Sequence, residues 1–169
     1  MKKILVSMFL LVFGLCLLGC DTNMTSLPEE MPDDFSFTLT FGFDGYYDSK
    51  TGILKNGYNN ELECECKTIL YFTEEELKGI YEIFRCYGID RFDSELKATD
   101  QMARPSYNIV ITYFLNNKES KIIIQNGSIG LNNWSYNKKL GEAYFKIVDE
   151  YIKASEEFKL LPPNTNIYE

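Results

Sequence analysis

The chain has 169 residues, with 17 Lys or Arg against 25 Asp or Glu and no His at all. That acidic balance argues against a nucleic-acid binder, which needs clustered Lys and Arg, and against a domain lying flat on anionic lipid. The absence of His removes every Ser-His or Cys-His relay, the commonest general base and the commonest metal ligand.

Lys2 and Lys3 open the chain, an apolar run from Ile4 to Leu18 follows, broken only by Ser7 and Gly14, and the run closes on Leu17-Leu18-Gly19-Cys20. A positive start, an apolar core and a small residue before the cut mark an export signal. The segment resembles the lipobox signal of bacterial lipoproteins. The resemblance implies a signal peptide over 1–19, cleavage before Cys20, a diacylglycerol thioether with palmitate-type chains on Cys20, and a mature protein held on the extracytoplasmic face of the cell membrane. Two acyl chains, at about 0.8 kcal/mol per buried methylene, anchor stably. An uncleaved membrane span would need about 20 apolar residues; this run is shorter and no positive cluster follows it. In double-membrane bacteria Asp21 would further resemble an inner-membrane retention signal.

Cleavage would remove Lys2 and Lys3, leaving 15 basic residues against 25 acidic ones, a net charge of −10. The remaining 149 residues make one domain by size. Residues 21–34 are polar, with Pro28, Pro32 and the pair Glu29-Glu30, so residues 20–34 read as the lipidated Cys20 and a flexible tether to a globular domain over 35–169.

From Phe35 to Phe43 apolar and small residues alternate strictly, which predicts a strand with one buried and one wet face. Asp44-Gly45 signals a hairpin, Tyr46-Tyr47 opens a second strand, and Asp48 to Gly52 reads as a type I turn closed by a left-handed Gly. The spacing and terminal Glu of a calcium loop are missing there.

Glu61 to Phe72 reads as a third strand, with Leu62, Cys64, Cys66, Thr68 and Leu70 on one face and Glu61, Glu63, Glu65 and Lys67 on the other. Cys64 and Cys66, about 6.6 Å apart on one strand face, are poorly placed to bond each other. They read as small core residues, with a disulfide from Cys86 to one of them as the alternative. With no His and few Cys, no metal site is expected.

Thr73-Glu-Glu-Glu76 is a capping box. Behind it Leu77, Ile80, Tyr81, Phe84 and Tyr87 form a helical stripe that Gly88 stops. Residues 89–104 read as a connection. Residues 107–115 and 121–125 form a hairpin about Asn116-Asn117-Lys118, Asn126-Gly127 turns again, and Ile129 to Leu131 offers a short strand. A helix is predicted from about Ser135 to Leu160, ended by Pro162-Pro163, with a short polar tail. The helix start at 73–77, the later hairpin and the Leu160-Leu161-Pro162 ending resemble small uncharacterised bacterial lipoproteins, a resemblance that carries no known activity.

The order strand, strand, strand, helix, hairpin, helix predicts an α+β domain: an antiparallel sheet of about five to six strands with two helices packed on one face. No catalytic motif, cofactor motif or metal spacing is present. The expectation is a non-enzymatic binding module at the membrane, with an unidentified protein or peptide as partner, a cationic one in its narrower form, and no cofactor. An accessory subunit of a membrane complex is the alternative, and a carboxylate-dependent hydrolase a more distant one. Aromatic residues at predicted turns, Tyr46, Tyr47, Trp134 and Tyr136, together with Glu61, Glu63 and Glu65, are the candidate interaction residues.

Overall fold

A computed structural model describes residues 25–101, 107–127, 131 and 134–166. Strands β1 (Ser36–Phe41), β2 (Gly45–Asp48), β3 (Ile53–Asn59) and β4 (Cys64–Ile69) precede helix α1 (Glu74–Tyr87) and a 3-10 turn (Ile89–Arg91). Strands β5 (Glu95–Lys97), β6 (Ile109–Leu115) and β7 (Lys118–Gln125) follow, then α2 (Lys138–Lys146), a π-helical stretch (Ile147–Ile152) and α3 (Glu156–Lys159). The sheet order is β4-β3-β2-β1-β6-β7-β5, antiparallel except for the β5–β7 pair. The fold is the predicted α+β class, with seven strands and a third, short helix among the described residues.

Alternation decides which face is buried. Phe37, Leu39 and Phe41 of β1 line up with Tyr47, Leu54, Ile111, Tyr113, Ile122 and Ile124 in one core, and the helices close it with Ile80, Phe84, Leu140, Tyr144 and Ile147. Phe84 stands edge-on to Phe35 at 5.4 Å and to Tyr113 at 5.5 Å between centroids. The other face, with Thr38, Thr40, Tyr46, Val110, Thr112 and Phe114, stays half-exposed.

Several elements differ from the sequence expectation, each for a local reason. β1 stops at Phe41 because Gly42 turns left-handed (φ 57°), so Phe43 leaves the core and packs on Tyr107 at 4.9 Å. Gly45 is required for space: an added Cβ would stand 2.2 Å from the Phe41 carbonyl oxygen. The Asp48–Gly52 turn forms as expected, with Gly52 N–H donating to Asp48 O at 2.8 Å and Gly52 at φ 72°. β4 begins only at Cys64, because Glu63 is left-handed (φ 50°) and the Asn59 side chain accepts from Leu62 N–H at 2.7 Å. Leu62 therefore faces solvent instead of the core.

The segment read as a plain connection contains β5, three residues that pair parallel with β7. The single long C-terminal helix is divided. Ser155 leaves helical geometry (ψ 150°), its hydroxyl donates to Ile152 O at 2.7 Å and accepts from Phe158 N–H, and α3 starts afresh. The short strand expected at Ile129 to Leu131 falls mostly outside the described residues; Leu131 O accepts from Trp134 N–H in a turn. The polar tail lies along the sheet: Thr165 N–H donates to Tyr58 O at 3.0 Å and Asn59 Nδ2 to Pro163 O at 2.9 Å.

Residues 25–34, read as flexible tether, are a docked strap. Thr25 Oγ1 and Ser26 Oγ each donate to the Asp90 carboxylate at 2.6 Å, and Ser26 N–H donates to it at 2.8 Å. Leu27 and Met31 pack on the core, and Tyr81 OH donates to Pro28 O at 2.8 Å. The strap ends at Asp34, whose two carboxylate oxygens accept the Asn116 and Asn117 N–H groups at 2.8 Å each. Both Asn residues are left-handed, so successive N–H groups converge on one anion.

Candidate functional site

Helix α1 organises the charge of the molecule. Its capping box forms as the sequence predicts: Thr73 N–H and Oγ1 donate to Glu76 Oε2 at 2.8 Å, and Thr73 Oγ1 accepts from Glu76 N–H. Glu74, Glu75 and Glu76 fill the first turn, favoured by the positive end of the helix dipole. The chain then returns antiparallel, so that Tyr151 lies over Gly79, near enough that a Cβ there would stand 2.5 Å from its hydroxyl oxygen.

A cleft of about 440 Å³ opens at this end, walled by Tyr71, Phe72 and Tyr151 and rimmed by Glu76, Glu150, Glu156 and Glu157; no cation among the described residues lines it. Phe72 is fixed by Tyr47 at 5.2 Å and by Tyr151, edge-on, at 6.1 Å. Tyr71 is 67 % exposed. Burial pushes the Tyr151 hydroxyl above its ordinary pKa, and neighbouring Glu150 and Glu76 push it further the same way. A second acidic hollow, of about 450 Å³, adjoins the same helix turn, where the strap brings Glu29, Glu30 and Asp33 beside Glu74 and Glu82. Some of these acids are internally paired: Glu74 with Lys78 at 2.6 Å, Glu82 with Arg85 at 2.9 Å and Glu156 with Lys159 at 2.8 Å. Glu150 and Glu157 are in no ion pair among the described residues.

The opposite end of α1 is basic. Gly88 ends the helix left-handed (φ 62°, ψ 45°), and Tyr87, Arg91 and Phe92 form a largely apolar hollow of about 380 Å³ with Asn137, Lys138 and Lys139 at the start of α2. No carboxylate among the described residues lines it. Arg91, Lys138 and Lys139 enter no ion pair among the described residues, and neither do Lys50, Lys118, Lys121 and Lys146, whereas Lys55, Lys67, Lys78, Arg85, Lys97, Lys153 and Lys159 do.

The residues singled out from sequence do not converge. Tyr47 is 0 % exposed, its hydroxyl donates to Leu70 O at 3.2 Å, and burial holds its pKa far above the ordinary value. Trp134, 3 % exposed, lies against Gly141 and Phe145. Both are core residues. Tyr46 is half-buried on the outer sheet face. Tyr136 is exposed, and its hydroxyl donates to Asp100 at 2.8 Å, which raises its pKa. Glu61 and Glu63 lie in the turn before β4 instead of on the strand with Glu65. Glu65 is held between Lys67 at 2.8 Å and Lys55 at 3.6 Å; the Lys67 hydrogen bond, then the Lys55 charge, lowers its pKa.

Cys64 and Cys66 are free thiols, so Cys86 is joined to neither. Cys66 is buried, which pushes its thiol up. Among the described residues no group of three or more His, Cys, Asp or Glu is placed to hold a metal ion, and no helix is long and apolar enough to cross a membrane. No protein-family model matches the chain, and no curated protein matches it.

Proposed function

We propose that this protein is a membrane-anchored extracytoplasmic lipoprotein that works as a non-enzymatic binding module and captures a cationic protein or peptide in the acidic cleft. The cleft carries the reading: three aromatic walls and four carboxylates surround it, and no cation among the described residues lines it. A Lys or Arg side chain entering it meets an aromatic face, worth about 0.5 kcal/mol exposed and about 2 kcal/mol when desolvated. Glu150 and Glu157 meet it as charges not already committed to internal pairs. Phe72 and Tyr151 are fixed by ring contacts, so little ordering cost falls on binding.

The test is affinity capture with crosslinking against envelope extracts and culture medium, at low and at high salt, for the wild type and Tyr71→Ala/Glu150→Gln/Glu157→Gln. Raising salt toward 1 M shortens the screening length to about 3 Å and should release an electrostatically held partner. A basic partner held at low salt, released at high salt and lost at least tenfold in the variant supports the reading; a bound set indifferent to salt and to the variant sinks it. The accessory-subunit alternative draws on the half-exposed outer sheet face, where Ile69 is 49 % exposed beside Ile53. Salt-resistant capture that survives the cleft variant would favour it.

The anchor makes its own demand. A Cys20 sulfur in a thioether cannot enter a disulfide. Mass spectrometry of the N-terminal peptide should show a diacylglycerol-modified Cys20, and recovery of a disulfide-linked Cys20–Cys86 peptide would overturn the lipoprotein reading.

A further inference from the structure

We infer that the basic end of the domain rests on anionic phospholipid headgroups, so that the protein stands end-on at the membrane with its acidic cleft turned outward. The inference builds on the lipid-anchor reading of Cys20 and adds an orientation to it. The strap is fixed from Thr25, where Thr25 and Ser26 grip Asp90 through three hydrogen bonds. Five residue steps separate Cys20 from Thr25. At about 3.6 Å per step even a fully extended link reaches only about 18 Å. A lipid on Cys20 therefore holds Thr25, and the end of the domain that Thr25 is bound to, within about that distance of the anchored residue.

Arg91 is the next residue, about 3.8 Å away along the chain, and it lines the hollow with Tyr87, Phe92, Lys138 and Lys139. Lys118 lies beside the strap in a neighbouring hollow with Ser26 and Asp90. The surface nearest the anchor thus gathers uncommitted cations in a protein of net charge −8. Exposed Asp93 and Glu95 and half-exposed Glu142, one turn along α2 from Lys138 and Lys139, are the opposing charges nearby, and Asp90 is occupied by the strap. Tyr87 and Phe92, both half-buried, are aromatic side chains of the kind that settle at headgroup depth. Lys138 and Lys139 can extend their stems toward the surface while keeping their charges wet. Helix α1, 14 residues at about 1.5 Å each, carries the acidic cleft about 21 Å toward its other end. Anionic lipid attracts one end and repels the other, so overall acidity opposes lying flat and favours standing.

The chain has one tryptophan, Trp134, which lies against Gly141 near the basic end and serves as a built-in reporter. The acylated full chain, purified from bacterial membranes, is placed on vesicles of phosphatidylglycerol and phosphatidylethanolamine carrying dansyl headgroups. Energy transfer from Trp134 is compared with transfer in Trp134→Phe/Tyr71→Trp, where the reporter moves to the acidic cleft. Strong transfer from position 134 and weak transfer from position 71 is the expected result. Each cation near the surface favours contact about fivefold. Arg91→Gln/Lys138→Gln/Lys139→Gln, or pure phosphatidylcholine vesicles, should therefore bring the two signals together. Amide exchange of the wild type on the same vesicles, slowed at 87–92 and 137–140 but not at 71–76, gives the same answer without a core substitution. Equal transfer from both positions in acylated protein, or indifference to the charge variant and to lipid charge, overturns the orientation alone. An N-terminal peptide lacking acylation overturns the anchor, and the orientation with it.

Discussion

The two ends of α1 carry opposite charge, and they are built differently. At the acidic end much of the charge has structural work: Glu76 closes the capping box, and Glu74 and Glu156 are paired. The aromatic walls there are fixed by Tyr47 and by the antiparallel return of the chain. At the basic end Arg91, Lys138 and Lys139 are exposed and outside any ion pair among the described residues, and the backbone around them turns through left-handed Gly88 and Asn137. One end is a shaped cleft in which a few acids are spare. The other is an apolar hollow of similar size edged by cations. Fixed aromatic walls with spare acids suit a cationic partner, and aromatic side chains beside uncommitted cations suit a lipid surface.

The strongest challenge to treating the ends separately is the core beneath them. Phe84→Ala removes a ring packed against Phe35, Phe37 and Tyr113 and should cost about 3–5 kcal/mol in denaturant unfolding. A single transition read alike by tryptophan fluorescence and far-ultraviolet dichroism would show that both ends share one cooperative unit; two transitions would divide them.

Two helical glycines, one near each end, sharpen the contrast. A Cβ at Gly141 would stand 2.5–2.9 Å from the buried Trp134 ring, so Gly141→Ala should destabilise by about 1–3 kcal/mol. At Gly79 the obstacle is the far end of the Tyr151 side chain, which can move. Gly79→Ala should be neutral or stabilising by up to about 1 kcal/mol, the gain of Ala over Gly in a helix. Thermal melts of both variants decide it; equal losses would mean that the acidic seam is as rigid as the basic one.

The parts of this molecule legible in sequence were those that a few adjacent residues determine. The alternation of Phe37, Leu39 and Phe41, the Thr73–Glu76 box, the Asp48–Gly52 turn and the Gly88 stop all form as read. β5 escaped because three residues, Glu95 to Lys97, are too short to show a period, and their pairing with β7 is settled by tertiary contact. The break at Ser155 escaped because the apolar stripe before it reads as one helix. The cleft was hidden for a different reason. Tyr71, Glu76, Tyr151 and Glu157 lie on separate elements and meet only when the C-terminal segment returns along α1. Nothing local separates Tyr71, which is exposed, from Tyr47, which is buried, since both precede or follow aromatic neighbours near strand ends. The strap looked flexible because its sequence is polar; its partners Asp90, Asn116 and Asn117 are more than 60 residues away.

That strap links the two ends, and acid should loosen it. Burial would raise the Asp90 pKa, but the hydrogen bonds from Ser26 and Thr25 outweigh it and the net shift is downward. Asp34 is lowered by the Asn117 and Asn116 N–H groups. A carboxylate whose folded pKa is depressed stabilises above its unfolded value, about 3.9 for Asp, and that stabilisation disappears as pH falls through the folded value. The Ser26 and Leu27 amides, bonded to Asp90 and to Thr25 Oγ1, should therefore stay protected at pH 5–8 and lose protection below about pH 4. Asp90→Asn should loosen residues 25–27 already at neutral pH, by about 1–2 kcal/mol of local protection, because each charge-assisted bond weakens to a neutral one. Protection independent of pH between 6 and 3 would mean that Leu27 and Met31, packed on the core, hold the strap without the carboxylates.

The smallest effect separates stability from binding at the acidic end. Thr73→Ala deletes the hydroxyl that accepts from Glu76 N–H, at a cost of about 1 kcal/mol, and Thr73→Ser should restore most of it. The same deletion removes the Thr73 Oγ1 donor at 2.8 Å from Glu76 Oε2, leaving that carboxylate less occupied on the rim of the cleft. The melting temperature should fall while affinity for a cationic partner holds steady or rises. If affinity fell in step with stability, the cleft would depend on the helix cap for its shape, and the acids there would serve the fold before they serve a ligand.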